Sequence, residues 1–266
     1  MPFALHEVTD DADFDSIVRA EWAAYEDPFE PFLRIIGGPY DSSSPTARAE
    51  ALEESKERQK MWAHEDPTSH WLKVVNTDTG EIIGAALWNI LEDDSEPMPG
   101  LYEAYYWPEG TEGRNYASHV LSRLSTLQAA RMKGPCVFLQ ICFVHPSHQR
   151  HGAGKLLVNW GVEKADAMGV HAFVEGTNCG CPLYEKYGFG VTDILRLDSS
   201  AYLSATNNDG GEVSVKEKEQ KEQLLAELPI HTHFQYRPVG GKLEAGKTVL
   251  PWTGKVWDGK VTETLF

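Results

Sequence analysis

Gln149-Arg150-His151-Gly152-Ala153-Gly154-Lys155 is the segment whose residue types and spacing could do chemistry. It follows an apolar run from Cys136 to Val144 and a turn at Pro146, and it opens an amphipathic run. Strand, glycine-bearing loop and helix start, in that order, present backbone N–H groups at the positive end of a helix macrodipole. Such a corner suits a diphosphate. Glycine matters there because a side chain would hold the phosphates off the backbone. Leu156 stands where a mononucleotide P-loop carries its magnesium-binding hydroxyl, and Leu157 where a dinucleotide fingerprint carries its third glycine.

A second block follows in Pro182-Leu183-Tyr184-Glu185-Lys186-Tyr187-Gly188-Phe189. The Gln/Arg-x-x-Gly-x-Gly loop and this Leu-Tyr-Glu-Lys-x-Gly-Phe segment, in this order, resemble the GNAT superfamily of acyl-CoA-dependent N-acetyltransferases. Gly180-Cys181-Pro182-Leu183-Tyr184 is similar to the form common in fungal GNAT-like proteins. The resemblance covers about residues 136–198. It implies the GNAT fold, an α/β (α+β) arrangement with a mixed, mostly antiparallel sheet flanked by helices. It also implies acetyl-CoA as cosubstrate and no metal. The pyrophosphate would be held by Gln149, Arg150, His151, Gly152, Ala153, Gly154 and Lys155. Pantetheine would pair with backbone groups of Cys142, Phe143 and Val144, with the Val144 N–H aimed at the thioester carbonyl. Tyr184 would sit beside the sulfur.

Acetyl transfer from a thioester to an amine needs a polarised carbonyl, a proton for the leaving thiolate and a neutral amine. Tyr184 is the expected general acid, since a phenol near ~10 can supply a thiolate whose conjugate acid is near ~8.5. The alternative is that Tyr184 only packs. An alkylammonium near ~10.4 is almost wholly charged at neutral pH, so a base or water relay is needed. Glu175, at the end of the strand before the Tyr184 segment, is the first candidate. Glu92 and Glu103 are weaker ones, and each carboxylate has a surface role as its alternative.

Other residues read more plainly. His145, His148 and His151 cluster at the loop as solvated or phosphate-facing groups rather than metal ligands. Cys136, Cys142, Cys179 and Cys181 lack paired zinc-site spacing. Cys136 and Cys142 are expected as small core residues, and Cys179 and Cys181 as reduced and inert. Trp88 and the aromatics at 102–107 are candidates either for an acceptor pocket or for core.

Elements must place these groups. Strands are expected at 3–8, 70–76, 81–90, 136–144, 171–176, 189–198 and 231–237. Helices are expected after Asp13, at 46–64, 115–132 and 152–168, and at 216–228. Pro28 to Pro39 marks a long loop. In the 46–64 helix Ala51, Leu52, Met61 and Trp62 are the sparse apolar positions. A single acetyltransferase domain is expected over 1–238, with additions at 46–64 and 115–132, an insertion at 199–229 and a C-terminal extension at 239–266 that lacks a clear period. The additions offer surface for a substrate lid or a homodimer interface.

The 266 residues are 41% hydrophobic and carry a formal charge of −16. Such a balance disfavours nucleic acid and anionic lipid and favours a cationic amine. No apolar run reaches membrane-helix length, and the first residues show no signal peptide, so the expectation is cytoplasmic. The expected reaction is acetyl transfer to a primary amine of a small molecule, by direct attack in a ternary complex. Two alternatives stay open: a CoA-binding module without transferase activity, and an acyltransferase with another donor or a hydroxyl acceptor.

Overall fold

The structure is a computed structural model and describes residues 2–40, 44–92, 100–204 and 214–266. The chain runs β1 (Phe3–Glu7), α1 (Asp13–Glu26), α2 (Phe32–Gly37), α3 (Pro45–Glu65), β2 (Ser69–Asn76) and β3 (Ile82–Leu91). Then come α4 (Glu112–Arg131), β4 (Cys136–Val144), a 3-10 turn (Pro146–His148), α5 (Ala153–Met168), β5 (His171–Gly176) and α6 (Cys181–Glu185). The remainder is β6 (Gly190–Arg196), α7 (Ser199–Ser204), α8 (Val215–Glu227), β7 (His231–Arg237), β8 (Val249–Leu250), β9 (Lys255–Val256) and β10 (Thr262–Leu265). The polar run Asn207 to Gly211 lies outside the described residues.

Eight strands form one sheet in the order β1-β2-β3-β4-β5-β7-β6-β10. β4–β5 and β6–β10 are parallel and the other pairs antiparallel. Helix α5 covers one face, where Leu157, Val158 and Val162 bury against Trp88, Val137 and Leu139. The opposite face carries α1 at one end, through Phe14 and Ile17 against Leu87 and Ile141. It carries α4 at the other, through Val120 and Leu124 against Phe138 and Phe234. Among the described residues no helix is long and apolar enough to cross a membrane.

One register shift matters for the site. Ile141 pairs with Leu87 but Leu139 pairs with Trp88, so Gln140 is an extra residue in β4. A bulge reverses side-chain alternation beyond it. Cys136 and Phe138 therefore share a face with Ile141 and Phe143, while Cys142 turns to the α5 side with Leu139. The two β4 cysteines, expected alike as core, part company here: Cys136 is fully buried and Cys142 lines a cleft.

Two helices depart from expectation. α2 lies inside the expected Pro28–Pro39 loop; six residues between Pro31 and Gly38 are too few to display a period, yet Leu33 and Ile35 are buried. In α3 the buried positions include Leu52, Ser55, Arg58 and Gln59, whereas Met61 is 39% exposed. The inner face tolerates polar residues because their long side chains find partners for their donors. Arg58 donates to Glu54 and lies over the rings of Tyr106 and Trp62, and Gln59 donates to buried Glu21.

The aperiodic tail adds β10 to the sheet edge. Asp193 of β6 accepts from Thr264 Oγ1 at 2.6 Å and from Arg131 of α4, and the Phe266 N–H donates to the Arg196 carbonyl at 3.0 Å. On the α5 face, Trp88 sits against Gly161 and donates from Nε1 to the Leu157 carbonyl at 3.0 Å. A Cβ at Gly161 would lie 2.3 Å from the indole, so Gly161→Val should destabilise by about 3 kcal/mol or more. A lower urea midpoint at unchanged slope is the expected reading. Trp88 is thereby a core residue rather than a pocket aromatic.

Candidate active site

β4 and β5 pair in parallel from Cys136–His171 to Leu139–Val174, and no further. Beyond Val174, β5 continues against β7 through Glu175–Phe234 and Gly176–His233, while β4 stays with β3. The two strands diverge at the Gln140 bulge. His145 donates to the Ile83 carbonyl at 2.8 Å. By antiparallel alternation Phe143 likewise pairs with Ala85, and Cys142 and Val144 direct their N–H and C=O groups away from β3 into the gap. Gln149 Nε2 occupies the Val144 carbonyl at 3.1 Å, which leaves the Val144 N–H for a ligand. Phe143 itself buries its ring beside Ile141 on the other face.

The gap opens into a cleft of about 430 Å³ whose floor is the expected loop, with His148, Gln149, Arg150, Gly152, Ala153, Gly154 and Lys155 along it. Arg150 has φ 65° and Gly152 φ 103°, a pair of left-handed residues that curls the chain. The N–H groups of Arg150 to Gly154 have no intramolecular acceptor among the described residues, and no acidic residue stands in the first turn of α5. This is a nest of amides with the helix dipole behind it. A Cβ at Gly152 would meet nothing within 4 Å, so the glycine answers to φ and to open space for a ligand. Gly154 answers to packing, since a Cβ there would lie 3.0 Å from Leu183 Cδ2. Gly152→Val should raise the Kd for CoA about tenfold by calorimetry, from backbone strain and lost approach.

Tyr184 rises from α6 into this cleft and is 6% exposed. Its ring fits because two facing positions lack side chains. A Cβ at Gly176 would lie 3.0 Å from the ring, and one at Gly180 2.8 Å. α6 is pinned at its far end. Tyr187 Oη donates to the Lys155 carbonyl at 3.1 Å, and Arg237 donates from Nε to the Tyr187 carbonyl at 2.8 Å while forking onto Asp166. Burial, with the Cys142 thiol and Tyr25 as neighbours, holds the Tyr184 phenol well above its ordinary range. Burial likewise pushes the Cys142 thiol up to about 12. Tyr184 is therefore a protonated donor at any working pH, and Cys142 is a poor nucleophile.

Glu175, next to last in β5, lies on the face opposite α5, beneath α4. Its Oε1 is buried without a partner, and burial pushes the carboxyl up to about 7 against the opposing pull of Gln128 and Arg131. A second cavity of about 510 Å³ lies on this side, between α3, α4, the 102–106 segment and the start of β7. Tyr25, Glu30, Gln140, Glu175, Gly176 and Thr177 line both spaces, so the two meet at the divergence of β4 and β5. Tyr25, Glu30 and Gln140 escaped the sequence analysis. The bulge that exposes Gln140 leaves no mark in a continuous apolar run, and Tyr25 occupies an ordinary helical position on α1.

The remaining candidates stand apart from the junction. Glu92 is exposed and lines neither space, and Glu103 lines the second cavity but is 74% exposed and paired with Arg114 at 2.6 Å. His145 Nδ1 shares a hydrogen with Ser147 Oγ at 2.8 Å, and His151 is exposed outside the cleft lining. Cys179 is a free, exposed thiol at the cleft rim. Of the expected aromatic segment, Tyr102, Tyr105 and Tyr106 line the second cavity, while Trp107 packs under α2 with its Nε1 donating to the Arg34 carbonyl at 3.2 Å.

Known structures of similar shape are a Corynebacterium glutamicum protein titled histone acetyltransferase HPA2 and related acetyltransferase, and a mosquito arylalkylamine N-acetyltransferase like 5b. The first is 18% identical, with 90% of this chain and 97% of that one covered and a TM-score of 0.48. The second is 14% identical, with 89% and 99% covered and a TM-score of 0.49. The PaiA N-acetyltransferase of Thermoplasma acidophilum, solved with coenzyme A, is 12% identical over 72% of this chain and 91% of that one, at TM-score 0.41. Residues 38–189, more than half of the chain, match the acetyltransferase (GNAT) family. The amide nest, the diverging strands and the buried phenol thus sit inside a stretch that carries a family signature, and the chain belongs to the GNAT acetyltransferase family.

Proposed function

We propose that this protein transfers the acetyl group of acetyl-CoA to the primary amine of a small molecule, by direct attack within a ternary complex. The observation that carries the reading is the meeting of the two spaces at Glu175 and Gln140, one floored by an amide nest and the other walled by aromatics and carboxylates. In it, the loop from Gln149 to Lys155 holds the pyrophosphate and pantetheine lies along Cys142 and Val144. The Val144 N–H receives the carbonyl oxygen as it becomes an oxyanion. Glu175 takes the proton of the attacking nitrogen, the C–S bond breaks, and Tyr184 Oη protonates the departing thiolate. Residues 1–238 form the catalytic domain in this reading, and the 239–266 extension braces its edge.

The test is thiol release from acetyl-CoA across a panel of amines, with the N-acetyl product identified by mass spectrometry. Amine-dependent release is the expected result. Tight CoA binding without release for any amine or alcohol would instead make the chain a CoA-binding module.

A further inference from the structure

The second cavity has a wall that the two sequence motifs do not account for. Residues 100–104 run extended along α4, and three α4 hydroxyls take their alternate N–H groups. Ser125 Oγ accepts from Gly100 at 3.0 Å, Ser122 Oγ from Tyr102 at 2.9 Å and Ser118 Oγ from Ala104 at 3.0 Å. Spaced along one helical stripe, these serines zip the segment to the helix. The far end is tied down as well, because Tyr106 Oη donates to the Ile35 carbonyl of α2 at 2.7 Å. The zip holds Tyr105 and Tyr106 in the lining together with Trp62, Phe32, Leu121 and Leu124, and the Arg58 guanidinium lies near both the Tyr106 and Trp62 rings. Among the lining residues Tyr102 and Tyr105 are each 52% exposed, and Leu101 beside them in the chain is 99% exposed.

The charges in this cavity have one sign available to a ligand. Arg58, its one arginine or lysine among the described lining residues, is spoken for: Nε and Nη2 donate to Glu54 at 3.0 Å each, and its guanidinium lies 4.1 Å from the Tyr106 ring centre. Glu30 and Glu175 stand at the junction with the cleft, and neither has a basic side chain within ion-pair distance among the described residues. A ligand ammonium is attracted to that end, a flat or branched apolar body fits the aromatic end, and a ligand carboxylate finds no free cation.

We propose that this cavity selects a primary amine carried on an apolar, aromatic-sized body without a carboxylate, and that the serine-zipped 100–106 segment sets this selectivity. The inference rests on the acetyl transfer proposed above, and it names the acceptor class for the same site. The nitrogen sits at Glu175 and Glu30, facing the thioester, with the body between Trp62 and Tyr105. Ser118 and Ser122 are positioning residues that hold the wall.

The test compares 2-phenylethylamine with ethylamine, which lacks the body, with L-phenylalanine, which adds a carboxylate, and with spermidine and a lysine-containing peptide. The expected kcat/KM for 2-phenylethylamine exceeds each of the others at least tenfold. Parity within threefold, or preference for spermidine, L-phenylalanine or the peptide, overturns the inference while leaving acetyl transfer standing. Calorimetric binding of 2-phenylethylamine to the CoA-loaded protein supplies a readout without turnover. Binding there with no acetylation of any amine removes the transferase reading and keeps the pocket's selectivity; absence of binding removes the latter. The Ser118→Ala, Ser122→Ala double variant should raise KM for 2-phenylethylamine about tenfold, with kcat and the acetyl-CoA Kd within twofold of the parent. Should that variant lose its fold by circular dichroism, Tyr105→Ser at an exposed position gives the same KM comparison. An unchanged KM in a folded variant rejects the role of the wall.

Discussion

Tyr184→Phe should lower kcat by about 10²- to 10³-fold and leave the Kd for acetyl-CoA within twofold. The size follows from the work of a positioned general acid, typically 10² to 10⁴ in rate. Retained binding follows from geometry, because the loop amides from Arg150 to Gly154 and the Val144 N–H belong to other elements. Against a free thiolate the raised phenol is a weak acid, since an ordinary thiol is near ~8.5. The thiolate, however, forms in the same enclosed space that pushes the neighbouring Cys142 thiol up to about 12. Burial penalises both anions, so the proton transfer stays near balance and proximity decides it. Phe keeps the ring between Gly176 and Gly180, so the fold should be unaffected. Unchanged turnover with an intact circular dichroism spectrum would reject the acid role. An acetyl-CoA Kd raised in parallel with the fall in kcat would mean that the hydroxyl shapes the binding site instead. Gly180→Ala is the matching steric control: it should lower kcat as well, by displacing the ring.

Much of this site was legible because its chemistry is local. The β4 strand, β5 strand and β7 strand stand at their expected residues, and the loop and the Tyr184 segment each carry their signal within a few positions. A helix N-terminus with glycines specifies its own anion site, whatever surrounds it. What stayed hidden is non-local. Nothing in Leu139-Gln140-Ile141 announces a bulge, which arises from how β4 matches β3 and then governs the side on which Cys142 faces. The polar inner face of α3 was hidden likewise, since Arg58 and Gln59 become inward residues only when Tyr106 and Glu21 arrive from elsewhere in the chain. The aromatics at 102–107 and Trp88 were open between pocket and core: Tyr102, Tyr105 and Tyr106 line a cavity, whereas Trp107 packs in the core and Trp88 fills the room that Gly161 leaves for its ring. Periodicity reports which face is apolar; it does not report which partner completes a polar face.

Glu175→Gln should remove the acid limb of the pH profile as well as about 10²-fold of kcat/KM for the amine at pH 8. A carboxyl ordinarily near 4.5 is brought by burial to about 7, which narrows its mismatch with an ammonium near ~10.4. The sign is fixed by the base's role: only the ionised carboxylate accepts a proton, so activity rises with pH through about 7 and is lost below it. No falling limb is expected from Tyr184 up to about pH 10, because its phenol titrates above its ordinary value. The profile should therefore be one-sided rather than a bell. A limb of this shape also arises if free amine is the species that binds, and the acceptor's basicity tells the two apart. Replacing a strongly basic amine by a weakly basic one of similar shape moves a limb set by the amine and leaves one set by Glu175 in place. The glutamine is nearly isosteric and leaves the buried Oε1 position filled by an amide atom, so a loss of fold is not expected. A limb that persists near pH 7 in the folded variant assigns the proton to another acceptor. A buried carboxyl with one unpartnered oxygen, standing where two spaces meet, would then have to be explained by binding alone.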